Sequence, residues 1–136
     1  MKISIELNVS ARYLYQRLLD TLIYDIKQET GKEPSFLELA NIKYRKRLNR
    51  DTFAELKVVK LLQDQSYHVQ IETKDYVRKE AYELHALDKD KVKVDYFEEE
   101  IAKQKQGNSL KMIDMVKEHV KRHNFIKVLK GLEIGY

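Results

Sequence analysis

Nine tyrosines stand among the 136 residues, and four of them carry the chemistry most open to a ligand. Tyr44, Tyr67, Tyr82 and Tyr96 each fall in a different stretch of alternating polar and apolar residues, in phase or nearly in phase with the apolar set. Residues of one parity along a strand share one face of a sheet. A tyrosine offers a flat apolar ring and a hydroxyl that needs a partner, so a concave face lined by several suits a flat, partly polar molecule. The plainer alternative is that the rings fill a core and the hydroxyls reach its wet rim. Glu80 and Glu98 share parity with Tyr82 and Tyr96, and Lys46 shares it with Tyr44. A carboxyl turned into an apolar cavity has a raised pKa and can act as a general acid or base. Charged groups are seldom buried without a partner, so the expectation for both carboxyls is a strand end pointing into water.

Other constellations are weaker. His119 and His123 lie four apart, at metal-ligand spacing on a helix, but the sequence has no HExxH motif and two ligands do not make a site, so no metal is expected. His68 and His85 alternate with apolar neighbours and are expected on the outer surface. Arg45, Lys46, Arg47 and Arg50, with Lys117, Lys121, Arg122, Lys127 and Lys130, could follow a phosphate backbone. The acidic Glu98-Glu99-Glu100 run and the lack of an RNA-recognition stacking motif argue against nucleic acid. A Gly-rich phosphate loop and a Gly-x-Ser-x-Gly motif are both missing, so nucleotide hydrolysis and serine-nucleophile hydrolysis have no support. Cysteine is absent, which excludes thiol catalysis and Cys-based zinc sites. No cofactor is implied.

The elements that must position these residues follow from the period of the apolar pattern. Ile3, Ile5 and Leu7 alternate with Lys2, Ser4 and Glu6 as a half-buried strand. After Asn8-Val9-Ser10 the period becomes helical: Ala11, Leu14, Tyr15, Leu18, Leu22 and Ile26 form a stripe that Leu19 and Ile23 widen, with Ser10 as N-cap and Gly31 past the end. Ser35 and Glu38 have capping-box spacing before a short helix at Phe36 to Ala40. From Ile42 the period returns to two for about 60 residues, with turns at Asn49-Arg50-Asp51, Gln63-Asp64-Gln65, Lys74-Asp75 and Asp88-Lys89-Asp90. Five strands joined by such short turns make an antiparallel meander with one charged, wet face. The first strand must pair with it to satisfy its backbone.

The last stretch, Ser109 to about Glu133, has one glycine near its end and reads as a long helix capped by Ser109. Met112, Ile113, Val116 and Val120 share one face, whereas Phe125, Val128, Leu129 and Leu132 fall nearly opposite. Such a helix either touches two surfaces or kinks near His123 and Asn124. If it closes the tyrosine cavity, Met112, Met115 and Val116 are its contribution, flexible Met being suited to lipid-like ligands.

The fold class is therefore α+β in the order β-α-α-β-β-β-β-β-α: a curved antiparallel sheet of about six strands wrapped around a long C-terminal helix. Residues 1–136 are expected to form one domain, since composition is uniform, with 43% apolar and 35% charged residues and a single proline. The net charge of +4, from 26 basic and 22 acidic residues, says little about partners. The N-terminus lacks the apolar centre of a signal peptide and no run reaches transmembrane length, so the cytoplasm is the expected location.

This strand order and the junction Leu7-Asn8-Val9-Ser10-Ala11 resemble the helix-grip superfamily of steroidogenic lipid-transfer domains, polyketide cyclases and birch-pollen-allergen proteins. More closely, Leu22-Ile23-Tyr24-Asp25-Ile26 with Gln28, Thr30-Gly31-Lys32, Tyr44, Lys121-Arg122, Phe125 and Tyr136 resemble a family of small proteins from lactic-acid bacteria and relatives, described only as a domain of unknown function. The resemblance implies the fold and a Gram-positive origin, and brings no functional residues. Three functions are then open. The first is a non-enzymatic binder of a small hydrophobic or aromatic ligand between sheet and terminal helix, which ranks highest. The second is a protein-interaction or co-chaperone-like module with a filled pocket, acting on a protein partner or as a homodimer. The third, a small cyclase- or hydratase-like enzyme, ranks below both.

Overall fold

The computed structural model describes residues 1–104 and 111–136, and of the side chains in the last helix those from 117 onward. Six strands form a single antiparallel sheet: β1 (Lys2–Leu7), β2 (Lys43–Arg47), β3 (Phe53–Leu62), β4 (Ser66–Glu72), β5 (Tyr76–Asp88) and β6 (Lys91–Ala102). The spatial order is β1-β6-β5-β4-β3-β2, so the meander runs from β2 to β6 and the first strand closes it. That pairing sets Ile3 opposite Tyr96 and Leu7 opposite Val92. Three helices, α1 (Ala11–Thr30), α2 (Phe36–Leu39) and α3 (Lys111–Gly131), complete the fold, followed by a 3-10 turn at Leu132–Gly135. The sheet is curved and wraps around the C-terminal helix. Among the described residues no helix is long and apolar enough to cross a membrane.

Local chemistry fixes the ends of α1. The Ser10 hydroxyl accepts from the Tyr13 N–H at 3.0 Å, and Gly31, at φ 76°, sits in the left-handed region where a side chain would be strained while its N–H donates to the Lys27 carbonyl at 2.9 Å. Ser35 does not complete a capping box. Its hydroxyl donates to the Glu38 carboxylate at 3.0 Å instead of accepting a backbone N–H, which fits a helix of only four residues.

Between them, α1 and the sheet bury most of the described core. Ala11, Leu14, Tyr15, Leu19, Leu22 and Ile26 of α1 are buried against Val58, Leu84, Val92 and Val94 of the sheet, with Leu7, Val9 and Leu39 beside them. Each fully buried leucine contributes about 2 kcal/mol. The Tyr15 hydroxyl donates to the Ser66 carbonyl at 3.0 Å, and burial, with the Asp64 charge nearby, pushes its pKa up to about 12.

Of the two courses open to the terminal helix, the structure has the unkinked one. It runs without interruption through His123 and Asn124, and among its described side chains Leu129 is buried, with Phe125 half-buried. Val120 and Val128 are exposed, at 52% and 67%: Val120 faces solvent and Val128 lies at the edge of a narrow stripe centred on Phe125 and Leu129. The expected Ser109 cap lies outside the described residues, as do the side chains of Met112, Met115 and Val116.

Candidate ligand cleft

Cross-strand register builds the site. Tyr67 of β4, Tyr82 of β5 and Tyr96 of β6 are direct neighbours, with ring centroids 5.6 Å apart for the first pair and 4.8 Å for the second. Phe125 of α3 stacks on Tyr96 at 4.2 Å, tying the helix to this shelf. One step along the strands the same inward row becomes charged, with Glu80 opposite Glu98, and a further step brings Arg78 opposite Glu100. Tyr44 reaches the same space from β2. These walls, with Leu22, Leu56 and Leu129, enclose a cleft of about 450 Å³ between α1, the sheet and α3. Val128 stands at its lining too, and such a volume matches an ordinary small-molecule site.

Two polar clusters edge the cleft. Asp25 of α1 accepts from the Tyr44 hydroxyl in a short hydrogen bond and from Lys46 Nζ at 2.9 Å. Across from it, Arg78 Nε lies 3.1 Å from Glu80 Oε2, an ion pair whose geometry leaves the buried Nε–H without a hydrogen-bond acceptor among the described residues. Burial pushes the Glu80 carboxyl up, Arg78 pulls it down, and the result is a pKa above the ordinary carboxylate range. Glu98 goes the other way. Burial raises it, but hydrogen bonds from Lys121 of α3 and from the Tyr96 hydroxyl, at 2.8 Å, outweigh that and hold it below its usual value. The tyrosines stay protonated: burial raises Tyr67, Tyr82 and Tyr96, with the Glu80 charge adding to it, and Tyr44 is raised by burial and then by Asp25. They are neutral walls and donors, not bases.

The matching family is described as "Domain of unknown function (DUF3284)", and its match covers residues 1–118. The chain belongs to that family. No curated protein matches the sequence. Among solved structures, the chain is similar to a START superfamily protein from Mycobacterium smegmatis, at TM-score 0.64 and 11% identity over 96% of this chain and 94% of that one. It is also similar to the Mll3558 protein from Rhizobium loti, at TM-score 0.59 and 14% identity over 97% and 94%. The Aha1 dimer from Colwellia psychrerythraea follows at TM-score 0.61 and 19% identity over 99% and 96%. At these identities the likeness is one of fold, and the family member has the START-like architecture its strand order implied.

Within this family member, the structure brings Tyr44, Tyr67 and Tyr82 to the cleft and sets Tyr96 behind Phe125. Glu80 and Glu98 correct the expectation of strand ends in water. Both β5 and β6 run past them, to Tyr76 and Ala102, so the two carboxyls sit within the paired strands and face the concave side. Asp25 and Arg78 were missed from sequence, although each left a signal: Asp25 interrupts the apolar stripe after Leu22, and Arg78 has the parity of Glu80 and Tyr82. The paired histidines of α3 are exposed, and among the described residues no group of carboxylates and histidines could hold a metal. His68 and His85 lie on the outer face as expected, against Glu83 and Asp95.

Proposed function

We propose that the protein binds a small hydrophobic or aromatic molecule in the cleft between sheet and terminal helix, without transforming it. The observation that carries this reading is the Tyr67-Tyr82 wall lining an open volume of about 450 Å³ between α1, the sheet and α3. Val128, exposed at the lining, can be enlarged without disturbing the core. Native mass spectrometry of gently purified wild type and Val128→Trp tests the reading. A releasable small-molecule mass on the wild type, lost from the variant, is the expected result. The same mass on both would place the molecule elsewhere and overturn it.

A second reading, a module that docks on a protein partner or on its own copy, draws on a different observation: Phe36 and Leu37 of α2 are exposed, Leu37 at 93%. Sedimentation over a wide concentration range, repeated on Leu37→Asp, checks the copy-to-copy form. Association that the substitution abolishes would support it, and a monomer at every concentration would remove it.

A further inference from the structure

Of the three cations lining the cleft, two are engaged at its margin. Arg17 pairs with Asp20 at 2.6 Å and Lys46 with Asp25 at 2.9 Å. Arg78 differs from both. Among the described residues its only ion-pair contact is Glu80, and none of them gives the buried Nε–H a well-aligned acceptor. A guanidinium carries five donors in a rigid fork, and an unmet buried donor is a standing cost to the fold. The acceptor that fits such a fork is a planar carboxylate, held by two parallel bonds. The residues beside Arg78 fit an aromatic body: Tyr67 and Tyr82, whose planes stand 77° apart, offer one ring face and one ring edge, Phe125 closes from α3, and Leu22, Leu56 and Ile71 line the floor.

We infer that the cleft selects an aromatic carboxylic acid, its carboxylate bound by the Arg78 guanidinium and its ring lying along Tyr67 and Tyr82 toward Phe125. The inference rests on the binding reading above and narrows its ligand class. Glu80 has a place in it. Its carboxyl lines the same cleft 3.1 Å from Arg78 Nε, and burial raises its pKa, which lessens its repulsion of an incoming carboxylate.

The test compares 2-naphthoate with 2-naphthamide, which keeps the ring and replaces the charge with a neutral group. Both are titrated by two-dimensional amide NMR into wild type, Arg78→Met, Arg78→Lys and Val128→Trp, with thermal melting to confirm that each variant is folded. Wild type should prefer naphthoate by about tenfold, the worth of one charge-assisted contact. Both probes should shift the amides of Tyr82 and Phe125. Arg78→Met should bind the two probes alike, Arg78→Lys should keep part of the preference, and Val128→Trp should weaken both. Equal binding of the two probes to wild type, or a naphthoate preference that survives in Arg78→Met, overturns the carboxylate assignment and leaves the cleft reading intact. If neither probe shifts the cleft amides up to its solubility limit, the cleft reading falls and the inference falls with it.

Discussion

Along β5 and β6 the inward row changes character from one end of the sheet to the other. Leu84, Val92 and Val94 are buried aliphatics packed under α1; Tyr82 and Tyr96 follow, and then Arg78, Glu80 and Glu98. The first region is dry and filled. The second is aromatic and ionic, has space, and is roofed by α3. Two parts of the same strands thus differ: close packing carries stability at one end, and the other combines open volume with buried polar groups that are costly to the fold.

The largest effect expected from this contrast comes from the dry end. Leu14→Ala should cost about 3 kcal/mol in urea unfolding, because a fully buried leucine leaves a cavity its neighbours cannot close. Tyr82→Ala, in the open end, should cost about half as much, since its ring already borders empty space, yet it should impair ligand binding, which Leu14→Ala in its folded state should spare. A Tyr82→Ala loss as large as that of Leu14→Ala would mean the two ends are packed alike. Tyr15→Phe removes one buried hydroxyl and should cost about 1 kcal/mol by the same measurement.

The smallest effects are the most specific, and they depend on pH. Glu80 and Glu98 face each other across two strands with pKa values displaced in opposite directions. For Glu80 the folded value is raised, so ionisation weakens the fold as pH climbs from the unfolded value, about 4.3, and the penalty is complete above the folded value. Glu80→Gln should therefore be more stable than wild type at neutral pH, with the gain shrinking in acid. For Glu98 the folded value is lowered, so its contribution is present above the unfolded value and disappears as pH falls through the folded one. Glu98→Gln should be less stable at neutral pH, and the difference should close in acid. Chemical unfolding between pH 3 and pH 8 checks both, and curves of the same sign would break the pairing.

How much of this could be read from the chain follows the same divide. Elements with a strict period were legible: the six strands, both caps of α1 and all four hairpin turns lie where apolar spacing and turn residues put them. Parity alone aligned Tyr67, Tyr82 and Tyr96. What parity could not supply was strand length, and so Glu80 and Glu98 were assigned to water; β6 continues through three consecutive glutamates because register with β5 and the Lys121 contact sustain it. Nor could spacing reveal that Asp25 bridges from α1 to Tyr44 and Lys46, a contact that exists only once helix and sheet are packed. In α3 the phase jump left a kink and a second contact face equally open, and spacing alone could not show that the helix runs straight through His123 and Asn124.

The cleft itself can be probed directly. N-phenyl-1-naphthylamine, a neutral probe that fluoresces on leaving water, should brighten on titration with wild type and lose that response with Val128→Trp, whose indole plugs the lining. A response of equal size from a folded Val128→Trp would contradict the cleft reading, because the probe would then be bound somewhere other than between the tyrosine wall and α3.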